Sequence, residues 1–381
     1  LAYFTLVPAM NNGEPQEIRQ KSRRNHVNQT TMSTLSSTTP ASNSYQLIPT
    51  RSVNRSIDIS LVIVYTEGTP LENYATALNS VECYAKLHAY PFHLFSDAQY
   101  KECARHTDLF FRRHCCIARH MESQMTPNSW ILVLDGDIAV INPNTLIEQF
   151  IDPAYDITLF DRFFNFEVGA NSYLVRNTQH GREFVRRFAE YEFRLPKSFH
   201  GTDNGALHPF LVELLVPEKV LLASLCMEIW NKSTSYATLF EMEACTRLIF
   251  GDRVNYAEHK LRILPKGTSW VRDLWLLRSR WSADDFMVHA VKEKQLDKNR
   301  TESAQLSDSQ LYQWDPTQRM LRTFPLLNKL GIAKCELGEE TWHFDSRLKI
   351  SNEKKKRLLE HMETKILKKR LETIGRMAQR L

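Results

Sequence analysis

The sequence predicts an α/β fold with a Rossmann-like, mostly parallel sheet flanked by helices, and three features carry that expectation. Apolar runs alternate with helix-spaced segments from Ile59 to Leu134, in the order strand, helix, strand, helix, strand. The runs ISLVIVY (59–65) and WILVL (130–134) are continuous in their hydrophobicity, as strands buried on both faces are. The second run ends in Asp135–Gly136–Asp137, and open α/β sheets bind ligands at the carboxyl ends of their strands.

The elements follow in order. Ile59–Tyr65 is a short β-branched run, turned by Thr66–Pro70. Residues 71–90 place Tyr74, Leu78, Val81 and Ala85 at helical spacing. PFHLFS (91–96) reads as the second strand, LFFRRHCCIARHMESQM (109–125) as a helix, and Pro127–Ser129 as a break before the third strand, WILVLD. TLIEQFID (145–152) reads as a short helix, and YDITLF (155–160) and GANSYLVRN (169–177) as strands. A helix then runs to Pro196, and GTDNGALHPFLVELLVP turns at Gly201 into another. Beyond Pro217, MEIW (227–230), RLIF (247–250) and LRILP (261–265) read as strands, and ADDFMVHAV (283–291) as a late strand or its exit loop. From Asn352 the chain reads as one basic amphipathic helix, with Leu359, Met362, Ile366, Leu367, Leu371, Ile374 and Met377 on its apolar face.

This order divides the 381 residues into a stem (1–56), a catalytic-sized body (57–350) and the C-terminal helix (351–381). Ten of the fifteen residues from Thr30 to Ser44 are Ser or Thr, too little apolar material to offset chain entropy, so the stem reads as disordered. Leu1–Met10 is too short to span a bilayer and reads either as the remnant of an anchor or as a plain apolar start. The net charge of +5 is a property of the tail: residues 353–381 carry 10 Lys/Arg against 4 Asp/Glu. A charge so placed argues against a nucleic-acid partner. The seven cysteines form no C-x-x-C pair, which disfavours a zinc site, and their odd number leaves at least one thiol free or paired between chains. Four N-x-[ST] sequons, at Asn28, Asn54, Asn231 and Asn299, lean slightly towards a secretory route.

Asp135–Gly136–Asp137 is the only D-x-D in the chain. A turn at Gly136 lets both carboxylates converge, and two hard oxygen ligands suit Mg²⁺ or Mn²⁺ bridging to a diphosphate. The alternative is a charged loop after a buried strand. His289 and Lys292 in VHAVK offer an imidazole to complete the metal shell and a cation for phosphate, or an ordinary strand-end histidine. Arg112, Arg113 and Arg119 read equally as phosphate contacts or as a solvated face, and Asp284 and Asp285 as surface charges. Asp203 and Asn204 follow a glycine turn at a helix start. They read either as a helix cap or as a carboxylate facing the reacting sugar carbon with an amide holding hydroxyls. FDRFFNFEVGANSYLVRNT brings aromatics together with Asp161, Arg162, Glu167 and Asn171, a mixture that suits sugar rings and equally suits core packing for Phe163, Phe164 and Phe166. Tyr65 and Thr66, at the end of the first strand, stand where a nucleotide would lie.

WILVLDGDIAVINP, FDRFFNFEVGANSYLVRNT, YEFRLPKSFHGTDNGALH and FMVHAVKEK, in this order, resemble a nematode-type family of nucleotide-diphospho-sugar transferases. More distantly they resemble fungal and plant α-galactosyl, α-mannosyl and α-xylosyl transferases. The resemblance spans about residues 57–350 and is most specific over 130–210. It implies a GT-A fold and a glycosyltransferase, hexosyl or pentosyl, with retention of configuration. It implies Asp135 and Asp137 as the metal-diphosphate motif, His289 as the third protein ligand, and Asp203 and Asn204 at the position of the family's Asp-Gln pair. The cofactors expected are Mn²⁺ or Mg²⁺ and a nucleotide sugar, UDP- more than GDP-linked, and the partner is a glycan acceptor. It implies a type II Golgi or ER plan, membrane-attached only through an N-terminal anchor.

Two other readings stay open. A phosphatase of the haloacid dehalogenase type also ends a strand in D-x-D, with Asp135 as nucleophile. A nucleotide-sugar binder without turnover would keep every feature above. The basic C-terminal helix could dock on the body, pair with another chain or lie on an anionic membrane surface, and of these docking or self-association is expected.

Overall fold

Side chains alternate across a strand, so a continuous apolar run feeds two cores at once. In the computed structural model, β1 (Ile59–Tyr65) and the third strand of the body, β3 (Trp130–Leu134), do this. The structure describes residues 57–163, 165–277, 280–292 and 349–380, with the backbone of four two-residue strands at 43–44, 314–315, 320–321 and 343–344. Ile59, Leu61, Ile63, Trp130, Leu132 and Leu134 pack on one face with α1 (Ala75–Leu87). Val62, Ile131 and Val133 pack on the other with α2 (Leu109–Ser123). Each fully buried aliphatic side chain contributes about 1.5–3 kcal/mol, so the register of these strands is firmly set.

The main sheet has seven strands. Beside β1 and β3 are β2 (Phe92–Ser96), β5 (Ile157–Phe160), β6 (Ser172–Arg176), β7 (Asn255–Tyr256) and β8 (Leu261–Leu264), in the spatial order β2-β1-β3-β6-β5-β8-β7. The pairs β1–β2, β1–β3 and β5–β8 are parallel, and β6 and β7 run against their neighbours. This is the α/β, mostly parallel, helix-flanked sheet expected from sequence. From β1 the chain passes to β2 on one side and then to β3 on the other. The strand order therefore reverses between β1 and β3, and ligand crevices open at such a switch point.

A second sheet sits against the first. Its strands are β4 (Ala139–Val140), β9 (Val271–Asp273) and β10 (Met287–His289), with β10 in the middle, parallel to β9 and antiparallel to β4. The opposite face of the main sheet is covered by α2, α3 (Gln179–Glu190), α4 (Thr202–Leu215), α5 (Ser224–Asn231) and α6 (Tyr236–Phe250).

Several expectations are corrected here. MEIW and RLIF are not strands but parts of α5 and α6. Runs as short as these, each with one charged residue (Glu228, Arg247), fit a buried helix as well as a strand; the longer helical context decides both, and α6 adds a Ser235–Thr238 capping box. The C-terminal helix α7 (Asn352–Arg380) forms and docks on the body, with Leu359 and Ile366 buried. Leu367 and Leu371, assigned to its apolar face, are 54% and 61% exposed, while Thr373 is buried in their place. Asp285 is not a surface charge: it is buried and paired with Arg272 at 2.8 Å. Among the described cysteines, Cys103 pairs with Cys115 and Cys226 with Cys245, Cys83 is also disulfide-bonded, and Cys116 is a buried free thiol. The stem, the sequons at Asn28, Asn54 and Asn299, and Phe164 lie outside the described residues.

Candidate functional site: an acidic triad at the switch point

β3 ends at Leu134, and a turn closed by Ile138 N–H donating to Asp135 O at 3.1 Å reverses the chain into β4. The turn forms as the sequence suggests, but Gly136 does not have a positive φ, and a Cβ built there meets only Ile63, at 4.0 Å. The turn itself makes the two carboxylates converge, and the glycine's conformational freedom is not needed for it.

The second sheet brings in the histidine. β10 pairs with β4 so that Val288 faces Ala139, which sets His289 beside the Asp135–Asp137 turn. β9 pairs with β10 so that Asp273 faces His289. After His289 the chain bends through Ala290, whose φ of 76° is the left-handed region that favours glycine. That bend lets Val291 N–H donate to Asp137 O at 2.9 Å and leaves Lys292 Nζ 3.1 Å from Asp137 Oδ2.

The result is one cluster. Ligand atoms of Asp135, Asp137 and His289 all lie within 4.8 Å of one another, the one such group of three among the described residues. His289 Nε2 is 3.3 Å from Asp137 Oδ1 and 3.9 Å from Asp135 Oδ2. Its other nitrogen, Nδ1, is held by Asp273 Oδ1 at 2.7 Å, an orienting carboxylate of the kind that fixes metal-bound histidines. Burial alone would lower the His289 pKa. The Asp137 and Asp273 carboxylates more than reverse that and raise it to about 9. Burial would raise Asp137, but His289 and Lys292 hold it below the usual carboxylate range. The pocket thus already asks for positive charge, and two carboxylates with an imidazole form a donor set suited to a divalent cation.

Behind the triad runs a buried chain of charges. Arg162 grips Asp273 with Nη2 at 2.7 Å and donates from Nη1 to Glu167 Oε1 at 2.8 Å. Asn165 Nδ2 donates to Glu167 Oε2 at 3.0 Å. Arg162 and Glu167, expected to meet the acceptor, are buried supports instead. Glu243 lies close enough to Glu167 for their charges to repel. Burial, and after it the nearby Glu167, raise its pKa well above the ordinary value.

On the other flank Arg113 pairs with Asp135 Oδ1 and donates from Nη2 to Asp203 Oδ2 at 2.6 Å. Arg113 therefore reaches a site carboxylate, whereas Arg112 pairs with Asp97 and Arg119 with Glu122. Asp203 does not face an open cleft. Its side chain has no exposed surface, and His114 Nε2, Thr202 Oγ1 and the Asn204 N–H take up its remaining oxygen valences. Burial would raise its pKa, but Arg113 and His114 hold it well below the usual range. Burial pushes the His114 pKa down to about 4, so the ring is neutral. Its Nδ1 then accepts from Tyr173 O–H at 2.9 Å, while Nε2–H donates to Asp203. Asn204 Oδ1 accepts from the Ala170 N–H at 3.1 Å. Two successive residues with positive φ, Gly201 and Thr202, turn Asp203 inward.

The remaining candidates divide in two. Tyr65 and Thr66 stand at the carboxyl end of β1, across the switch point from the triad. Asn171 accepts the Asp135 N–H at its backbone oxygen, 3.1 Å away, and its Oδ1 is buried without a partner. It lines a narrow cavity of about 50 Å³ beside His289, closed by Lys355 and Leu359 of α7. Phe163 and Phe166 are core residues. Asp273, His114 and Glu243 had no signal in the sequence, because each gains its place through a long-range pairing.

Residues 81–306 match a family described as "Protein of unknown function, DUF273". No curated protein matches the chain. Among solved structures, it is 16% identical to a glycosyltransferase involved in the glycosylation of the major capsid of PBCV-1, covering 61% of this chain and 92% of that one, with a TM-score of 0.37. It is 12% identical to the glycosyltransferase GlyE of Streptococcus pneumoniae TIGR4, covering 54% of this chain and 62% of that one, with a TM-score of 0.30.

Proposed function

We propose, from the premise that the chain belongs to the DUF273 family, that it is a metal-dependent glycosyltransferase of GT-A type. It would move a hexosyl or pentosyl unit from a nucleotide-diphospho-sugar, UDP- in preference to GDP-linked, to a glycan or glycoconjugate, with retention. The observation that carries the reading is the convergence of Asp135, Asp137 and His289 at the β1–β3 switch point with Lys292 beside them. The resemblance in the 130–210 block supports it.

Asp135, Asp137 and His289 would hold Mn²⁺ or Mg²⁺, which when bound supplies charge neutralisation for the departing diphosphate. Lys292 donates to a phosphate oxygen from the same side. Its Nζ lies 3.1 Å from Asp137 and 6.0 Å from the centre of the Tyr74 ring, so it is steered by both. Tyr65 and Thr66 line the nucleotide side of the crevice. Asp273 fixes the His289 ring, and Arg113, anchored by Asp203, fixes Asp135 so that its other oxygen faces the triad. Asn171 and Asn204 stand by the sugar. The disulfides Cys103–Cys115 and Cys226–Cys245 support an oxidising compartment, and a Golgi or ER lumen is the location proposed.

Thermal-shift screening of UDP- and GDP-sugars with and without Mn²⁺ tests the proposal. A UDP-sugar should stabilise the protein only when Mn²⁺ is present. Indifference to the metal, or a trapped phosphoryl group on Asp135, would replace this reading with a binder or a phosphatase.

A further inference from the structure

α7 does more than close the core. Between it and the segment after β5 lies a cavity of about 520 Å³, in the size range of small-ligand pockets. Asp161, Arg247 and Lys266 line it from the body, and Glu360, Glu363 and Arg370 from α7. We propose that this cavity binds a neutral, hydroxyl-rich glycosyl unit, and that it is the acceptor subsite of the transferase. The second half of that statement rests on the function proposed above.

Unmet polar valences make the first argument. Arg247 Nη2 donates to Asp161 Oδ2 at 3.1 Å, but Asp161 Oδ1 and Arg247 Nη1 are buried with no hydrogen-bond partner. Leaving such atoms unpaired is unfavourable. One needs a donor and the other an acceptor. A hydroxyl group is both, so vicinal hydroxyls satisfy the two together. Lys266 sits beside them, held by the carbonyl oxygens of Arg162 and Asn165, and burial lowers its pKa to about 8.

Charge makes the second. Three cations line the cavity, Arg247, Lys266 and Arg370, against four carboxylates, Asp161, Asp252, Glu360 and Glu363. Asp252 is already shared between Arg247 at 2.9 Å and Arg370 at 2.8 Å. No surplus of positive charge remains for a phosphate or an acidic sugar.

Position makes the third. Asp161 lines both this cavity and the narrow one beside His289. Its neighbour Arg162 turns the other way, onto Asp273, and so to the triad. Asp161 thus places the larger cavity next to the one beside His289.

The test uses the full chain on an array of neutral, sialylated and sulfated oligosaccharides, together with Mn²⁺-dependent UDP-sugar binding measured separately. Thr364→Trp, an exposed α7 position on the cavity wall, fills the space without removing a core contact. The expected result is binding to neutral glycans, reduced at least tenfold in T364W, with UDP-sugar affinity within twofold. Neutral-glycan binding unchanged in T364W, binding confined to acidic glycans, or no glycan binding by a protein that does bind UDP-sugar would each overturn the subsite. Failure of UDP-sugar binding alongside a T364W-sensitive neutral-glycan signal would overturn the transferase reading and leave the glycan site standing.

Discussion

At the scale of single residues, the D-x-D was legible because its meaning is local: a buried strand, a turn and two carboxylates adjacent in sequence. Asp273 was not, because only the β9–β10 register sets it beside His289. Its role can be measured. Asp273→Asn removes the charge that orients His289 and should weaken Mn²⁺ affinity about 10- to 100-fold. Electron paramagnetic resonance of free Mn²⁺ checks this, and an unchanged affinity would show that Asp273 serves packing alone. His114 gives a second residue-scale prediction. Its pKa is held at about 4 against 6.5 for an ordinary histidine. Between those values the unfolded chain binds the extra proton, so this group's stability is lost as pH falls from 6.5 towards 4, by up to about 1.4 kcal/mol per pH unit. His289, raised to about 9, works in the opposite sense: its contribution is present below pH 6.5 and lost as pH rises through 9. Urea unfolding at pH 7 and pH 5 should therefore show a smaller acid loss in His114→Gln than in the native protein. An equal loss would mean that the ring is protonated in place.

At the scale of elements, long periodic segments were read correctly and short apolar runs were not. The strands of the first half and the helices before Pro217 fall close to their expected bounds, since strand length and flanking breakers agree there with periodicity. MEIW and RLIF carried no period of their own, and α5 and α6 absorbed them. The bend after His289 was equally hidden, because an alanine gives no sign that its φ is 76°. Ala290→Gly should relieve that strain and stabilise the fold by up to about 1 kcal/mol, read as a rise in the urea midpoint with unchanged slope. A fall in the midpoint would place Ala290 in an ordinary conformation in solution.

At the scale of the whole molecule, the basic tail was correctly separated from the body's near-neutral charge, and docking was one of its two expected roles. Its rotation was misjudged. Apolar spacing alone put Leu367 and Leu371 inward, whereas ion pairs from Lys355 to Asp285 and from Arg370 to Asp252 set the buried line through Leu359, Ile366 and Thr373. Ile366→Asp should cost about 3 kcal/mol or more, because it buries a charge among apolar groups, and should expose α7 to limited proteolysis. Retained protection would mean that α7 is held by its ion pairs alone.

The account stands on the divalent cation proposed for the triad. Calorimetric titration of UDP-sugar into the native protein and into Asp137→Ala, each with and without Mn²⁺, tests it most directly. The predicted result is Mn²⁺-dependent binding in the native protein and none in the variant, with both folded. Equal UDP-sugar affinity in all four titrations would contradict it.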